Sequence, residues 1–204
     1  MAGRNKDSAV IEGPAPGGVG MLIIDMINSM AFEGAELIKS SANATVNVIL
    51  RLREEADRLK APVIYVNDNY GYWHSDKSKL ISAFSEEGCP GATMVRRMAP
   101  REDDYFVIKP QVSAFYATNL PVLLPKLGVN RLILTGIAAD ICVLFTAADA
   151  HMRAYDLWIP GDAVASEEDQ RKAWALDIMQ KSMGALTRPT DEFTIESWIS
   201  KANR

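Results

Sequence analysis

Apolar runs alternate with amphipathic segments along most of this chain. A short run that is apolar throughout is typical of a parallel strand, because helices cover both of its faces. A longer segment with apolar residues every three or four positions is typical of a helix packed on a sheet. The pattern predicts six strands: Val19–Ile24, Val63–Val66, Tyr105–Ile108, Leu132–Thr135, Asp156–Ile159 and Ala185–Thr187.

Helices are predicted between most of these strands and at the end of the chain. Their ranges are Ala35–Lys60, Asp76–Ser85, Asn119–Leu127, a segment from about Ala139 onward, Glu167–Met183 and Thr190–Ala202, the last with Thr190 as N-cap. Strands that alternate with helices form a parallel sheet with right-handed crossovers. We therefore expect one α/β domain over residues 19–204, preceded by a mobile, polar and Pro/Gly-rich arm at residues 1–18.

Composition narrows the class of protein. The chain has 204 residues, of which 48% are hydrophobic and 24% charged, and this suits a single domain with a sizeable core. The net charge of −4, with basic residues interleaved with acidic ones, argues against a nucleic-acid partner. No apolar run approaches the ~20 residues of a membrane span. Without an apolar segment near the N-terminus, we expect a cytoplasmic protein in which Cys89 and Cys142 are reduced.

Three residues with reactive side chains follow predicted strands. Asp25 follows the first strand, Lys109 the third, and Cys142 lies shortly after the fourth. Because functional sites of parallel sheets lie at the carboxyl ends of the strands, these residues predict one site. Cys142 falls in the first turn of a predicted helix, where unpaired N–H groups and the helix dipole favour a thiolate. The alternative is that Cys142 is one more small buried apolar residue.

A cysteine nucleophile needs a base. His151 lies nine residues after Cys142, roughly 13 Å further along the same helix, and is too far away. His74, in a loop, stays open as a base. Asp25 is the other candidate, because a partly desolvated carboxylate beside a thiol can take its proton, and Lys109 would offset the charge that develops. Backbone N–H groups of Ala138 and Cys142 are candidates for an oxyanion hole.

A polar and aromatic loop, Asn67–His74, follows the second strand. Aromatic side chains give such a loop shape and amides give it polar handles, so it is a candidate wall of a small-molecule pocket. The alternative is an ordinary surface loop. The candidate wall residues, in this loop and elsewhere, are Asn69, Tyr70, Trp73, Phe115 and Phe32.

Three ordered blocks around the reactive residues resemble the isochorismatase-like cysteine hydrolase family, which includes nicotinamidases and N-carbamoylsarcosine amidase. Leu22–Asn28 resembles its first-strand motif with an aspartate. Val107–Pro110, with Ser113–Phe115 and Thr118–Leu120 after it, resembles the lysine block. Thr135–Val143 resembles the nucleophile block. With the turn at Gly88–Ala92, the resemblance extends from about Val19 to Ala165.

The resemblance implies a doubly wound, mostly parallel six-stranded sheet with helices on both faces, a Rossmann-like three-layer sandwich. It implies a catalytic triad of Asp25, Lys109 and Cys142, and a cis peptide between Ile137 and Ala138 that orients the oxyanion N–H groups. It also implies a dimer or tetramer that hydrolyses a C–N bond of a small amide, ureide or carbamoyl compound through a thioester-type intermediate, without a cofactor.

Departures from the family pattern limit the choice of reaction. Nicotinamidases carry Asp-x-His and a further histidine that hold a zinc-type ion, whereas here Asp68 is followed by Tyr70, with only His74 nearby. One carboxylate and one imidazole are a poor ligand set, so we expect no metal. Isochorismatases proper, which hydrolyse a vinyl ether, typically lack the cysteine, and Cys142 argues against that reaction. A vinyl-ether hydrolase and a catalytically silent binding protein stay as alternatives.

Overall fold

A six-stranded parallel sheet runs through the protein, whose structure, a computed structural model, describes residues 13–201. The strands are β1 (Val19–Ile24), β2 (Val63–Asp68), β3 (Tyr105–Lys109), β4 (Arg131–Ile137), β5 (Asp156–Trp158) and β6 (Val164–Ala165). The spatial order is β3-β2-β1-β4-β5, and every pair is parallel. The predicted α/β fold with a mostly parallel six-stranded sheet is therefore confirmed.

Two short strands share the outer edge of β4. β5 pairs with the first half of β4, at Arg131–Ile133, and β6 pairs with its end, at Gly136 and Ile137. The sequence prediction placed the sixth strand at Ala185–Thr187, and this was wrong. Leu186 makes only an isolated parallel bridge to Trp158. A strand of two residues has no periodicity, so β6 left no pattern to detect.

Helices cover both faces of the sheet. They are α1 (Ala35–Arg58), α2 (Lys77–Ser85), α3 (Ala92–Met98), α4 (Leu120–Lys126), α5 (Leu144–Met152), α6 (Asp169–Met183) and α7 (Ile195–Lys201). Because side chains alternate along a strand, β1 sends Met21 and Ile23 into one core and Leu22 and Ile24 into the other. The first core lies under α1, α2, α3 and α7, and the second under α4, α5 and α6. This is the three-layer arrangement that continuous apolar strands require.

One helix was not predicted, and the last helix begins five residues later than predicted. α3 begins at Ala92, the end of the turn at Gly88–Ala92, and its segment has no predicted helix. α7 begins at Ile195, and Thr190 is not its N-cap. Instead, the N–H and hydroxyl groups of Thr190 both donate to the Asp162 carboxylate, at 3.0 Å and 2.5 Å. The tertiary bond to Asp162 thus uses the hydroxyl that a cap would need.

Part of the predicted arm packs on the domain. Pro16–Gly18 form a 3₁₀ turn, and the Ala15 N–H donates to the Leu127 carbonyl at 2.8 Å. The rest of the arm, residues 1–12, lies outside the described residues. Within residues 13–201, no helix combines the length and the apolar character that crossing a membrane would take.

Candidate active site

Asp25 follows β1 in a backbone conformation that few residues adopt. Its φ is +53°, in the left-handed region, which aspartate tolerates better than most residues. Its N–H donates to the Val66 carbonyl at 2.9 Å, as a continuation of the β1–β2 pairing. The side chain is buried, and Oδ1 accepts the Asp68 N–H at 2.7 Å. The end of the strand therefore fixes this carboxylate from two sides.

Lys109, the last residue of β3, joins the reactive groups. It is fully buried, and its Nζ lies 3.0 Å from Asp25 Oδ2, 3.2 Å from Asp68 Oδ2 and 3.4 Å from Cys142 Sγ. In the strand order, β2 and β1 separate β3 from β4, so the lysine crosses the edge of two strands to reach the sulfur. The length of the side chain makes that reach possible.

Asp68, the last residue of β2, is a member of the site that sequence reasoning missed. It is the parallel partner of Lys109, with its Oδ2 on the ammonium and its Oδ1 accepting the Tyr70 N–H at 2.7 Å. The prediction ended β2 at Val66, so Asp68 was assigned to the loop. β2 lies between β1, which Asp25 follows, and β3, which ends in Lys109. A carboxylate at the end of the strand between these two charged residues is the signal that would have identified Asp68.

Cys142 lies in a π-helical turn, Ala139–Val143, between β4 and α5. The turn is closed by the carbonyl of Ala138, which accepts the N–H groups of Ile141 and Val143, each at 3.1 Å. These bonds do not use the N–H groups of Ala138 and Cys142, the two proposed oxyanion donors. The peptide bond between Ile137 and Ala138 is cis in this structure.

Gly136 lets β4 approach β1 where the turn begins. Its φ is +107°, and a Cβ built on it would lie 2.0 Å from the Ile24 carbonyl oxygen. The sequence prediction ended the strand before this glycine, but β4 continues through it to Ile137. The glycine is thus part of the strand, and its missing side chain permits the close pairing beside Asp25.

The charges of the cluster set the protonation state of the thiol. Burial and the neighbouring Asp25 carboxylate raise the pKa of Cys142 above its ordinary value, although Lys109 opposes them. Burial also raises the pKa of Asp25, against the opposing effect of Lys109. Burial would lower the pKa of Lys109, but Asp25 and Cys142 raise it above its ordinary value. Desolvation and Asp25 thus oppose the helix terminus and Lys109, which favour the thiolate.

The predicted wall residues do not all lie at the site. The hydroxyl of Tyr70 is buried near Asp25, Asp68 and Cys142. Asn69 is buried, and its Oδ1 accepts the Gly71 N–H at 3.0 Å. Phe32 and Trp73 are exposed, Trp73 by 74%.

Phe115 belongs to the core and is removed from the candidate wall. It is 3% exposed and packs against Tyr155 and Arg153. Both neighbours follow the C-terminal end of α5, whereas Cys142 precedes the N-terminal end of that helix. The Phe115 ring packs in the core under α4 and α5. The sequence pattern does not distinguish such a core residue from one that lines a pocket.

A cavity of about 560 Å³ lies beside the loop after β2. Trp73, His74 and Phe84 are among the residues that line it. His74, the histidine that sequence reasoning kept as a possible base, is exposed. Lys109 Nζ lies 3.4 Å from Cys142 Sγ, and the Asp25 carboxylate is the neighbour that raises the pKa of the thiol. Among residues 13–201, no group of three or more His, Cys, Asp or Glu side chains is arranged to hold a metal ion.

The fold and the site define a doubly wound α/β protein with a cysteine, a lysine and two carboxylates at the carboxyl edge of its sheet. Residues 19–191 match the model of the isochorismatase domain. The chain therefore belongs to the isochorismatase family.

Three similar proteins place the chain within this family. YaaI, an uncharacterised isochorismatase family protein of Bacillus subtilis (strain 168), is 42% identical over 165 residues, which are 81% of this chain and 90% of YaaI. A probable inactive nicotinamidase of Arabidopsis thaliana, At3g16190, is 30% identical over 188 residues, which are 86% of this chain and 94% of that protein. The crystal structure of N-carbamoylsarcosine amidase from Thermoplasma acidophilum matches with a TM-score of 0.67 and 30% identity, over 86% of this chain and 98% of that one.

Proposed function

We propose that this protein is a cysteine hydrolase that cleaves a C–N bond of a small amide, ureide or carbamoyl compound. Cys142 is the nucleophile, Asp25 the general base and Lys109 the electrostatic partner of both. The observation that carries the proposal is the position of the Lys109 ammonium, within 3.0 Å of Asp25 Oδ2 and 3.4 Å of Cys142 Sγ. A buried cation between a carboxylate and a thiol favours transfer of the thiol proton to the carboxylate, because the resulting thiolate keeps a positive neighbour.

The reaction follows in two halves. In the first, the Cys142 proton passes to Asp25 and the thiolate attacks the substrate carbonyl carbon. The carbonyl oxygen becomes an oxyanion that the N–H groups of Ala138 and Cys142 bind. Asp25 then gives its proton to the leaving nitrogen, the C–N bond breaks, and the acyl group stays on sulfur as a thioester.

In the second half, Asp25 takes a proton from water, whose oxygen attacks the thioester carbon. The C–S bond breaks, the acid product leaves, and the proton returns from Asp25 to the sulfur. The raised pKa of Asp25 suits this role, because a carboxylate that is more basic than usual is a better proton acceptor.

The likeness to N-carbamoylsarcosine amidase supports the choice of a C–N bond as the target. The cysteine and its two charged neighbours argue against a vinyl-ether substrate, for which no nucleophile is needed. A second candidate function is a catalytically silent binding protein, since a relative with 30% identity is named a probable inactive nicotinamidase.

The test is ammonia release from a panel of primary amides, ureides and carbamoyl compounds. The unsubstituted protein is compared with Cys142→Ser and Asp25→Asn, and with Cys89→Ser as a matched control, since Cys89 Sγ donates to the Ser29 carbonyl at 3.4 Å and packs on the first core. We expect Cys89→Ser to keep the activity, and the other two to lose at least about 10²-fold in kcat/KM.

Mass spectrometry of the protein quenched during turnover should find the acyl group on the Cys142 peptide. Hydrolysis that survives in Cys142→Ala would contradict the nucleophile role and favour a vinyl-ether or water-only mechanism. Binding of panel members without turnover, in a protein whose Cys142 reacts with alkylating reagents, would favour the silent binding protein.

A further inference from the structure

The turn that carries Cys142 is tied to α6 by an ion pair that the proposed mechanism does not use. Arg171, in the first turn of α6, places its Nη2 2.6 Å from Asp140 Oδ2. Its other terminal nitrogen, Nη1, lies 3.5 Å from Oε2 of Glu167, just before the helix. The side chain of Asp140 is only 11% exposed. Its burial and the short distance distinguish this pair from a surface ion pair, which contributes little.

Asp140 is the residue through which a side chain can anchor the turn. The turn reads Ala-Asp-Ile-Cys-Val, and Asp140 is its only residue other than Cys142 with a polar side chain. Residues two apart in a helical turn do not face each other. Asp140 accordingly binds α6, whereas Cys142 Sγ lies 3.4 Å from Lys109 Nζ in the site. The ion pair thus holds the turn from a side that the thiol does not occupy.

Asp140 also lies midway between the two proposed oxyanion donors. Ala138 precedes it by two residues, and Cys142 follows it by two. Their N–H groups can bind one oxyanion only if the backbone between them keeps its shape. A misplacement of about 1 Å at a reacting centre can cost about 10²-fold in rate. The anchor at Asp140 therefore acts on the geometry that an oxyanion site needs.

The sheet fixes the other end of this anchor. β6 pairs with the last two residues of β4, one residue before the turn begins. Glu167 follows β6 by two residues and binds the Arg171 guanidinium. The elements form a closed path from β4 through the turn to Asp140, across the ion pair to α6, and back through Glu167 and β6 to β4. The turn is thus held both at its start and in its middle.

We propose that Arg171 is a positioning residue of this site, whose ion pair with Asp140 holds the N–H groups of Ala138 and Cys142 in the arrangement that binds an oxyanion. Arg171 binds Asp140 and Glu167 and acts on the reaction only through the turn. It stabilises the tetrahedral intermediate and leaves the reactivity of the thiol itself unchanged. The inference rests on the proposed function in one respect, namely that these two N–H groups bind the oxyanion.

The test compares two reactions of Cys142, of which only one forms an oxyanion. In both, the thiol proton first passes to Asp25. With 4-nitrophenyl acetate, the thiolate attacks the ester carbonyl carbon and the carbonyl oxygen becomes an oxyanion. The C–O bond then breaks, 4-nitrophenolate leaves with its electron pair, and the acetyl group stays on sulfur. With iodoacetamide, the thiolate displaces iodide from a saturated carbon. The ratio of the two rates therefore reports the oxyanion site separately from the thiolate.

Three variants remove the ion pair in different ways: Arg171→Met, Asp140→Ala, and the double variant, which leaves neither charge without its partner. Lys181→Met, at an exposed residue of α6, is the matched control. Release of 4-nitrophenolate, corrected for release by Cys142→Ala, gives the acetylation rate, and peptide mass spectrometry gives the alkylation rate. We expect the three variants to be acetylated at least about tenfold more slowly, with alkylation within about twofold of the wild type. For any hydrolysed panel compound, kcat and kcat/KM should fall together.

The double variant decides whether the two side chains act as one unit. Its loss of acetylation should equal that of either single variant, because the ion pair is already absent in each. Losses that add would mean independent effects and would refute the role of the pair. Alkylation that falls in Arg171→Met and rises in Asp140→Ala would mean that these residues act on the charge of the thiol, and this also refutes the inference.

The outcomes separate this inference from the proposed function. Unchanged acetylation in Arg171→Met refutes the positioning role and leaves the hydrolase proposal intact. Slower acetylation with unchanged alkylation, in a protein that hydrolyses no panel compound, supports the role and refutes the hydrolase. Equal falls in both reactions mean a loosened fold and refute the role. A wild-type Cys142 with a ratio of acetylation to alkylation no higher than that of N-acetylcysteine has no oxyanion site, which refutes the inference even if amides are hydrolysed.

Discussion

Replacement of Lys109 by methionine tests whether one cation holds the cluster together. Methionine keeps most of the volume of the buried side chain and removes its charge. The Asp25 and Asp68 carboxylates, at 3.0 Å and 3.2 Å, would both lose their cation. Removal of one partner from a buried ion pair costs about 3–5 kcal/mol. Because two carboxylates are affected and Asp25 is almost fully buried, we expect a loss in the upper half of that range.

The loss should depend on pH in a defined direction. The pKa of Asp25 is already raised in the folded state, and without Lys109 it rises further. An acid whose folded pKa exceeds its unfolded pKa destabilises the fold at high pH, and this effect disappears as pH falls through the folded pKa. The raised pKa of Lys109 keeps the wild-type ammonium charged below about pH 10, so the wild type does not lose this cation in the window. The variant should therefore be most destabilised at about pH 8 and clearly less at about pH 5.

Urea unfolding at both pH values measures the loss. Lys181→Met is the matched control, because Lys181 is exposed and its ion pair is with Asp177, one helical turn away, at 2.8 Å. Its change should stay within about 0.5 kcal/mol at either pH. A Lys109→Met loss that is equal at the two pH values, or no larger than that of the control, would refute the argument that Lys109 neutralises buried carboxylates.

Two further substitutions test the fold around the site. Gly136→Ala should lower the free energy of unfolding by more than about 3 kcal/mol, because the new Cβ would lie 2.0 Å from the Ile24 oxygen. Gly184→Ala, also at positive φ but with nothing within 4 Å, should cost only about 1–2 kcal/mol, and equal losses would contradict the clash. Arg53→Met should cost about 3–5 kcal/mol, since it strips Asp104 of its buried partner. In a double-mutant cycle with Asp104→Asn, a coupling below about 0.5 kcal/mol would count against the pair.

The elements that could be predicted from the sequence are those whose burial is uniform along their length. β1 is apolar at every position because both of its faces are covered, and its predicted bounds, Val19–Ile24, agree with the structure. α1 is long enough for a periodic stripe, and its predicted start at Ala35 is confirmed. The residues at strand ends were accessible to prediction for the same reason, because strand direction alone sends Asp25 and Lys109 to one edge.

The rest depended on tertiary contacts that no local pattern records. β6 is a strand only because the end of β4 offers it a partner. Phe115 is buried in the core and Trp73 is exposed to solvent. The sequence alone does not distinguish either position from that of a residue in a pocket wall. The helix terminus beside Cys142 was visible in the sequence, whereas the burial and the carboxylate that raise the pKa of its thiol were not.

Strand register has a consequence for the chemistry of this edge. Asp68 pairs with Lys109, and Ile24 pairs with Val66 and with Gly136. These three pairings fix how far along the strands the charged groups of the site lie relative to one another. A slip of one residue turns the side chains of a strand to the opposite face, which would take the ammonium away from the sulfur. The alkylation rate of Cys142 therefore depends on the register of the central strands. Comparing this rate before and after refolding tests whether the native register has been recovered, and the test does not require a known substrate.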